Sequence, residues 1–153
     1  MLTQSVPTTC GDSPEISGDN PRTREKSPQV HVLVVDDEPL VRWSIAETLR
    51  GRGFDVTEAS DADGTIRAVV DQSLLPDVVL LDLRLPDCDD MSLLATLRRI
   101  LPGARVIVMS AFGTPEIFEA VRRLGVETII EKPFDLDRVE TLIGAALGAR
   151  YAH

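Results

Sequence analysis

Hydrophobic and polar residues alternate along the chain in blocks that predict strands and helices in turn. Short strands are predicted near residues 30–35, 55–59, 78–82, 105–110 and 128–131. The first, third and fourth are apolar runs rich in β-branched residues, which is typical of parallel strands covered on both faces. Between the strands, apolar residues recur at helical spacing. Five successive strand–helix units indicate an α/β domain.

The first predicted helix has the clearest signals. Pro39 suits the first helical position, and Val41, Ile45 and Leu49 form one stripe. Gly51 and Gly53 supply a stop. Similar apolar positions predict the other helices: Ile66, Val69 and Val70; Leu93, Leu94 and Leu97; Ile117, Val121 and Leu124; and Leu136, Val139, Leu142, Ile143 and Leu147. Because crossover connections are nearly always right-handed, this order predicts a parallel sheet with helices on both faces.

The two ends of the chain differ from the region between them. Residues 1–29 contain four prolines among small and charged residues and have little to bury, which predicts a disordered N-terminal tail. Residues 30–148 form the predicted domain, and residues 149–153 a short C-terminal tail. A length of 153 residues with 43% hydrophobic residues suits one domain with a single core.

Charge and cysteine usage narrow the classes of function. The formal net charge of -9 repels phosphate backbones, and no basic stripe offsets it, so we expect no direct binding of nucleic acid. Cys10 and Cys88 are too few for a disulfide framework or a cysteine metal site, which favours a reducing cytoplasm. No secretory signal or apolar run of about 20 residues is found, so we expect a soluble, cytoplasmic protein without membrane association.

Charged and hydroxyl-bearing residues stand at the ends of four predicted strands. Asp36 and Asp37 follow the first strand, and Asp82 ends the third. Ser110 ends the fourth strand, and Lys132 follows the fifth. Ligands of parallel sheets bind beyond the carboxyl ends of the strands, so we expect these side chains to converge at one edge.

Three adjacent carboxylates repel one another unless a cation lies among them. Oxygen ligands without His or Cys favour Mg²⁺, which usually takes one or two carboxylates, waters and a phosphate oxygen. The sequence therefore predicts a phosphoryl site in which Asp82 attacks phosphorus to form an acyl phosphate, while Lys132 and Ser110 bind the transferred oxygens. Alternatively, the aspartates are only turn residues at the strand ends, a common role of Asp. Their occurrence together with Lys132 favours the phosphoryl site.

Four segments in this order resemble the receiver domain of bacterial two-component response regulators. They are VVDDEP at 34–39, LDLRLP at 81–86, MSA at 109–111 and KPF at 132–134. The resemblance spans about residues 30–148, and the segments at 41–44 and 110–114 look most like receivers of NtrC-like transcriptional activators. It implies the CheY-like, flavodoxin-like (βα)5 fold with strand order 2-1-3-4-5.

The resemblance also implies roles for the residues of the acidic edge. Asp82 would accept a phosphoryl group from a histidine kinase or phosphotransfer protein. Mg²⁺ would be held by Asp37, Asp82 and the carbonyl of Arg84, and by Asp36 through a water. Such a receiver catalyses only its own phosphorylation and dephosphorylation and is not otherwise an enzyme.

The remaining implied roles concern the switch. Lys132 would pair with the phosphoryl group and precede a cis bond to Pro133, while the Ser110 hydroxyl would move toward the phosphoryl group. The loop after Ser110 would pull the fourth helix, and the face formed by the fourth helix, fifth strand and fifth helix would change its downstream protein target. That face commonly mediates dimerisation in related regulators, and the signal would lead towards transcription.

Three positions depart from the family pattern. Ile129 stands where Tyr or Phe is usual, which indicates either core packing or an altered switch. Asp90 replaces a usual glycine and is expected to cap the next helix, the alternative being an extra metal ligand. Arg84 and Phe112 occupy positions that tune access of the hydrolytic water, and our hypothesis is that Phe112 shields the acyl phosphate.

Two other functions compete with a phosphorylated receiver. One is a receiver-like interaction module that is never phosphorylated, suggested by Ile129 and Asp90. The other is a Mg²⁺-dependent phosphatase similar to haloacid dehalogenases, but such enzymes need a second Asp where this chain has Arg84. We expect a stand-alone receiver rather than part of a longer regulator.

Overall fold

A computed structural model describes residues 29–88 and 91–148 of the chain. Its strands agree with the predicted positions: β1 (His31–Val35), β2 (Asp55–Ala59), β3 (Val78–Asp82), β4 (Arg105–Ser110) and β5 (Thr128–Glu131). The helices are α1 (Pro39–Gly51), α2 (Ala62–Ile66), α3 (Ser92–Ile100), α4 (Pro115–Arg123) and α5 (Leu136–Leu147). The predicted tails lie outside the described residues, except for Gln29, whose side chain donates to the Gly53 carbonyl at 2.9 Å.

The strands form one parallel sheet in the order β2-β1-β3-β4-β5, which confirms the predicted fold class and strand order. In the register of the sheet, Asp82 lies beside Met109, and Ser110 lies beside Glu131. Since all the strands run in the same direction, their carboxyl ends meet at one edge. This edge carries the site.

Successive residues of each strand pack on opposite faces of the sheet, as the two-residue period of a strand requires. On one face, Val32 and Val34 of β1 pack with α1 and α5. On the other face, Leu33 and Val35 pack with α2, α3 and α4. Both faces are covered, which explains why the central strands are almost continuously apolar.

Helix α1 confirms the predicted stripe and boundaries. It begins at Pro39 and ends at Gly51, with Ile45 and Leu49 buried and Val41 packed against the same core. Its amino end starts four residues after β1, so the sheet edge and the start of the helix are close together. The loop between them carries the first two aspartates.

The second helix differs from the prediction at Val70. Helix α2 is only five residues long and continues as a π-helical turn over Arg67–Asp71. Ala68 and Val69 are buried in this turn, whereas Val70 is 57% exposed. The buried residues Thr65, Ala68 and Val69 are three and four residues apart, as in an ordinary helical stripe, so the prediction that grouped Val70 with Ile66 and Val69 placed the stripe wrongly. No helix in the described ranges is both long and apolar enough to cross a membrane.

Candidate phosphoryl and metal site

Two buried aspartates lie side by side at the carboxyl edge of the sheet. Asp36 follows β1 and is fully buried, and Asp82 ends β3 and is only 5% exposed. The adjacent Asp37 is exposed. The apolar strands place these side chains, because β1 and β3 are neighbours in the sheet.

Lys132 lies between the two buried carboxylates. Its ammonium group donates to Asp36 Oδ2 at 2.7 Å and to Asp82 Oδ2 at 3.4 Å. A third contact, to Glu38 Oε1 at 3.4 Å, comes from a side chain that is 60% exposed. Lys132 therefore supplies the positive charge that two desolvated carboxylates require.

The three aspartates have the geometry of a metal site. Asp36, Asp37 and Asp82 each offer one carboxylate oxygen, and these oxygens lie within 4.8 Å of one another. Hard oxygen donors without His or Cys suit Mg²⁺. The donor set thus fits the ion that the sequence predicts, with Asp37 open to solvent.

The surroundings of Asp82 and Lys132 shift the pKa values of both groups. Burial raises the pKa of Asp82 to about 6, and the nearby charge of Asp36 adds to this effect, although hydrogen bonds from the Arg84 N–H and from Lys132 oppose it. Burial alone would lower the pKa of Lys132, but the hydrogen bond and charge of Asp36 outweigh it and raise the pKa. The ammonium group therefore stays charged beside the carboxylates.

The loop after β3 begins with a hydrogen bond to Asp82 itself. The Arg84 N–H donates to Asp82 Oδ1 at 3.0 Å, which orients the carboxylate and the first residues of the loop together. The Arg84 side chain is exposed, and its guanidinium carbon lies 5.1 Å from the centre of the Phe112 ring. This cation–π contact connects the loops after β3 and β4 at the edge that carries the site.

Ser110 ends β4 and is 4% exposed. Its carbonyl accepts the Lys132 N–H at 2.8 Å, so its backbone is fixed beside that of Lys132. No hydrogen bond of its hydroxyl is found within the described ranges. Asp90, the predicted helix cap, lies outside those ranges.

The loop after Ser110 packs tightly against the start of α4. A side chain at Gly113 would overlap the ring of Phe118, a residue of α4. The Thr114 hydroxyl accepts the Ile117 N–H at 3.2 Å and caps the helix. The loop and the start of α4 are thus packed together as one unit.

The end of β5 agrees with two expectations. The peptide bond from Lys132 to Pro133 is cis, as predicted. Ile129 is half-buried and packs against the core on the side of α2, α3 and α4, in agreement with the core-packing interpretation.

Sequence reasoning did not find two residues that support the site. Arg42 of α1 donates to the Asp36 carbonyl at 2.8 Å and to Glu58 Oε1 of β2 at 3.2 Å. The Glu38 N–H donates to Asp36 Oδ1 at 2.9 Å, in addition to the contact of its side chain with Lys132. The only available signal was their position within a few residues of Asp36.

The chain matches the model of the response regulator receiver domain family over residues 32–144. This match covers most of the chain, and the described geometry agrees with it. The protein belongs to the response regulator receiver domain family, as the resemblance predicted.

Curated relatives support this assignment. The probable transcriptional regulatory protein TcrX of Mycobacterium tuberculosis is 36% identical over 77% of this chain and 50% of that protein. Sporulation initiation phosphotransferase F of Bacillus subtilis is 30% identical over 73% of this chain and 89% of that protein. This chain spans only about half the length of TcrX.

The predicted similarity to NtrC-like regulators is also confirmed. NtrC of Salmonella typhimurium is 30% identical over 76% of this chain and 24% of that protein. A crystal structure of NtrX from Brucella abortus is 31% identical and covers 80% of this chain and 27% of the NtrX chain, with a TM-score of 0.72. The chain is therefore a receiver with sequence similarity to NtrC, a DNA-binding transcriptional regulator, and to NtrX.

Proposed function

We propose that Asp82 is the residue that accepts a phosphoryl group, in a Mg²⁺-dependent reaction with a histidine kinase or a phosphotransfer protein. The observation that carries the proposal is the cluster of three carboxylates within 4.8 Å, with the Lys132 ammonium group between two of them. A turn aspartate without a further role needs no lysine ammonium group beside it. Family membership supports the same assignment.

The proposed reaction transfers phosphorus from nitrogen to oxygen. A carboxylate oxygen of Asp82 forms a bond to phosphorus while the bond between phosphorus and the donor imidazole nitrogen breaks. The imidazole keeps the electron pair and takes a proton from solvent. Lys132 holds its positive charge beside the transferred oxygens, and the hydroxyl of Ser110 is the hydrogen-bond donor on the β4 side.

The metal-binding residues in this proposal are Asp37, Asp82 and the Arg84 carbonyl, with Asp36 acting through a water. Mg²⁺ bound there would neutralise the carboxylates and the developing charge on the phosphoryl oxygens. Asp36 cannot turn freely, because both of its carboxylate oxygens accept hydrogen bonds, from Glu38 and from Lys132. Those bonds keep its charge beside Asp82 throughout.

The output of the switch is proposed to lie on the face formed by α4, β5 and α5. The residues that line a groove on this face include Phe118, Arg122, Ile129, Glu131, Phe134 and Arg138. Phosphorylation would shift Ser110 and the packed loop at Gly113, and so change the surface presented by Phe118. A downstream protein or a second copy of the chain would bind there and pass the signal towards transcription.

We also propose a cellular setting and a domain organisation. The receiver would act in the cytoplasm as residues 30–148, with residues 1–29 and 149–153 as tails. It would turn over no free substrate, and its only chemistry would be phosphorylation and dephosphorylation of its own Asp82.

Labelling by a small acyl phosphate in the presence of Mg²⁺ tests the proposal. The wild-type protein should gain one phosphoryl group by intact mass, and Asp82→Asn should gain none. Asp63→Asn is the matched control, since it removes an equal charge from a carboxylate that is 70% exposed and far from Lys132 in the sequence. Labelling of Asp82→Asn would reject Asp82 as the acceptor, and an unlabelled wild type would favour the module that is never phosphorylated.

A further inference from the structure

The loop after β3 is tied to helix α2 by a single carboxylate. Asp87 accepts the backbone N–H of Ala62 at 2.9 Å on one oxygen and the N–H of Asp63 at 3.1 Å on the other. These bonds join parts of the chain that are 24 and 25 residues apart. They also hold the pKa of Asp87 below its usual value.

Helix α2 depends on carboxylates from outside its own hydrogen-bond ladder. The first N–H groups of any helix have no partner within it. Here the Gly64 N–H donates to Asp61 at 2.7 Å, and those of Ala62 and Asp63 donate to Asp87. The five α-helical residues of α2 lead directly into the π-helical turn, so these carboxylates hold the start of the whole helical segment. Of these three N–H groups at the start of α2, Asp87 thus accepts hydrogen bonds from two.

The other end of the same loop is tied to the phosphoryl site. The Leu83 N–H donates to the Met109 carbonyl at 3.2 Å, and the Arg84 N–H donates to Asp82 at 3.0 Å. An antiparallel bridge between Leu85 and Cys88 makes the intervening residues a compact turn. The segment that contains the Arg84 carbonyl is therefore anchored at Asp82 on one side and, through Asp87, at α2 on the other.

We propose that Asp87 is a positioning residue, which fixes the loop after β3 against α2 so that the Arg84 carbonyl is available as a ligand for Mg²⁺. The inference rests on the proposed function, because it assigns that carbonyl to the metal. A residue that orients a ligand typically changes metal affinity by about 10- to 100-fold when it is removed. Binding of Mg²⁺ and capping of α2 then stabilise each other, since linkage between two sites is reciprocal.

Two substitutions separate hydrogen bonding from charge. Asp87→Ala removes both acceptors, whereas Asp87→Asn removes the charge but keeps one acceptor oxygen. Asp63→Asn removes the same charge from the first turn of α2, where the carboxylate is 70% exposed and pairs with Arg67. All three proteins are compared with wild type over the full chain.

The first measurement is the dissociation constant for Mg²⁺ alone, by calorimetric titration without a phosphodonor. We expect about 10-fold weaker binding in Asp87→Ala, a smaller loss in Asp87→Asn, and wild-type affinity in Asp63→Asn. The second measurement is hydrogen exchange at the Ala62 and Asp63 amides. Mg²⁺ should slow exchange at these amides in wild type and have no effect on them in Asp87→Ala.

Three results would overturn the proposal. Unchanged Mg²⁺ affinity in Asp87→Ala would make Asp87 only a helix cap. Equal losses in Asp87→Ala and Asp87→Asn, or a similar loss in Asp63→Asn, would assign the effect to charge. A wild-type protein that binds no Mg²⁺ would instead refute the proposed metal site. If Asp87→Ala fails to fold, Asp87→Asn against Asp63→Asn decides the question by the same titration.

Discussion

The two sides of the acidic site differ in how firmly their polar groups are held. On the side of β1 and β3, Asp36 and Asp82 are buried, and each of their four carboxylate oxygens accepts a hydrogen bond. On the side of β4, Ser110 is equally buried, but its hydroxyl has no partner among residues 29–88 and 91–148. Phe112, two residues later, is 71% exposed.

In the proposed reaction, this difference distinguishes the groups that take part in phosphoryl transfer from the hydroxyl that responds to it. Fixed carboxylates and a fixed ammonium group would give the transition state of that reaction a preorganised electrostatic environment. A buried hydroxyl without a partner gains a hydrogen bond only when an acceptor arrives, which favours a change in its surroundings at that moment. Phosphorylation should therefore act first on the β4 side.

The largest effect is expected when the cation between the carboxylates is removed. Lys132→Met leaves the carboxylates of Asp36 and Asp82 adjacent without a positive charge between them, and breaking a buried ion pair typically lowers the free energy of unfolding by about 3 kcal/mol or more. Urea unfolding without Mg²⁺ at pH 7 should show a decrease of this size. Glu38→Gln, which alters the exposed partner of Lys132, should cost about 0.5 kcal/mol or less. Similar losses in the two variants would contradict the claim that the β1–β3 side is tightly held.

A second prediction concerns pH. Because the pKa of Asp82 rises from 3.8 to about 6 in the folded protein, the folded state binds more protons than the unfolded state between these values. Stability should therefore fall as pH rises through this window, by roughly 1–3 kcal/mol at 1.36 kcal/mol per pKa unit.

Asp82→Asn removes this titration. In metal-free buffer it should be more stable than wild type at pH 8, and the advantage should disappear at about pH 4 and below. Urea unfolding at a series of pH values measures both proteins, with the exposed Asp63→Asn as control. An advantage of Asp82→Asn that is independent of pH would show that ionised Asp82 is not the cause.

The next effect is smaller and belongs to the β4 side. If Phe112 shields the acyl phosphate, Phe112→Ala should shorten the half-life of the phosphorylated protein about threefold, a change in barrier below 1 kcal/mol. Decay of labelled protein after removal of the phosphodonor gives the half-life. Leu40→Ala is the control, since Leu40 is similarly exposed at 74%. Unchanged or slower decay in Phe112→Ala rejects the shielding hypothesis.

The smallest effect is expected at Ser110. Because its hydroxyl has no partner within the described part of the chain, Ser110→Ala should change the free energy of unfolding by less than about 0.5 kcal/mol. Labelling of Asp82 should persist, whereas the phosphorylation-dependent shifts of α4 amide resonances should be lost. Ser110→Thr, which keeps the hydroxyl, should retain those shifts. Retained shifts in Ser110→Ala would place the signal elsewhere.

Much of the fold could be predicted because its signals are local. The strands of the sheet centre are apolar runs that end in polar residues, and the stripe of α1 follows the helical period between Pro39 and Gly51. The convergence of Asp36, Asp82 and Lys132 followed from the parallel arrangement. Strand order came from the resemblance and not from these patterns.

The features that escaped prediction depend on contacts between distant residues or on an unusual backbone. No periodic pattern marked the π-helical turn, and the apolar stripe of this segment runs through Thr65, Ala68 and Val69 and leaves Val70 exposed. Arg42 and Asp87 bind backbone groups of other segments, and no periodic pattern marks such hydrogen bonds. Their charge alone predicts only a solvated surface.

The packing of Phe118 over Gly113 has a consequence for how this receiver tolerates sequence change. A methyl group at position 113 would occupy space that the aromatic ring already fills. Variation at the two positions should therefore be paired: a larger residue at position 113 should be accepted only together with a smaller side chain at position 118. A randomised library selected for signalling would reveal this dependence as an excluded combination of side chains.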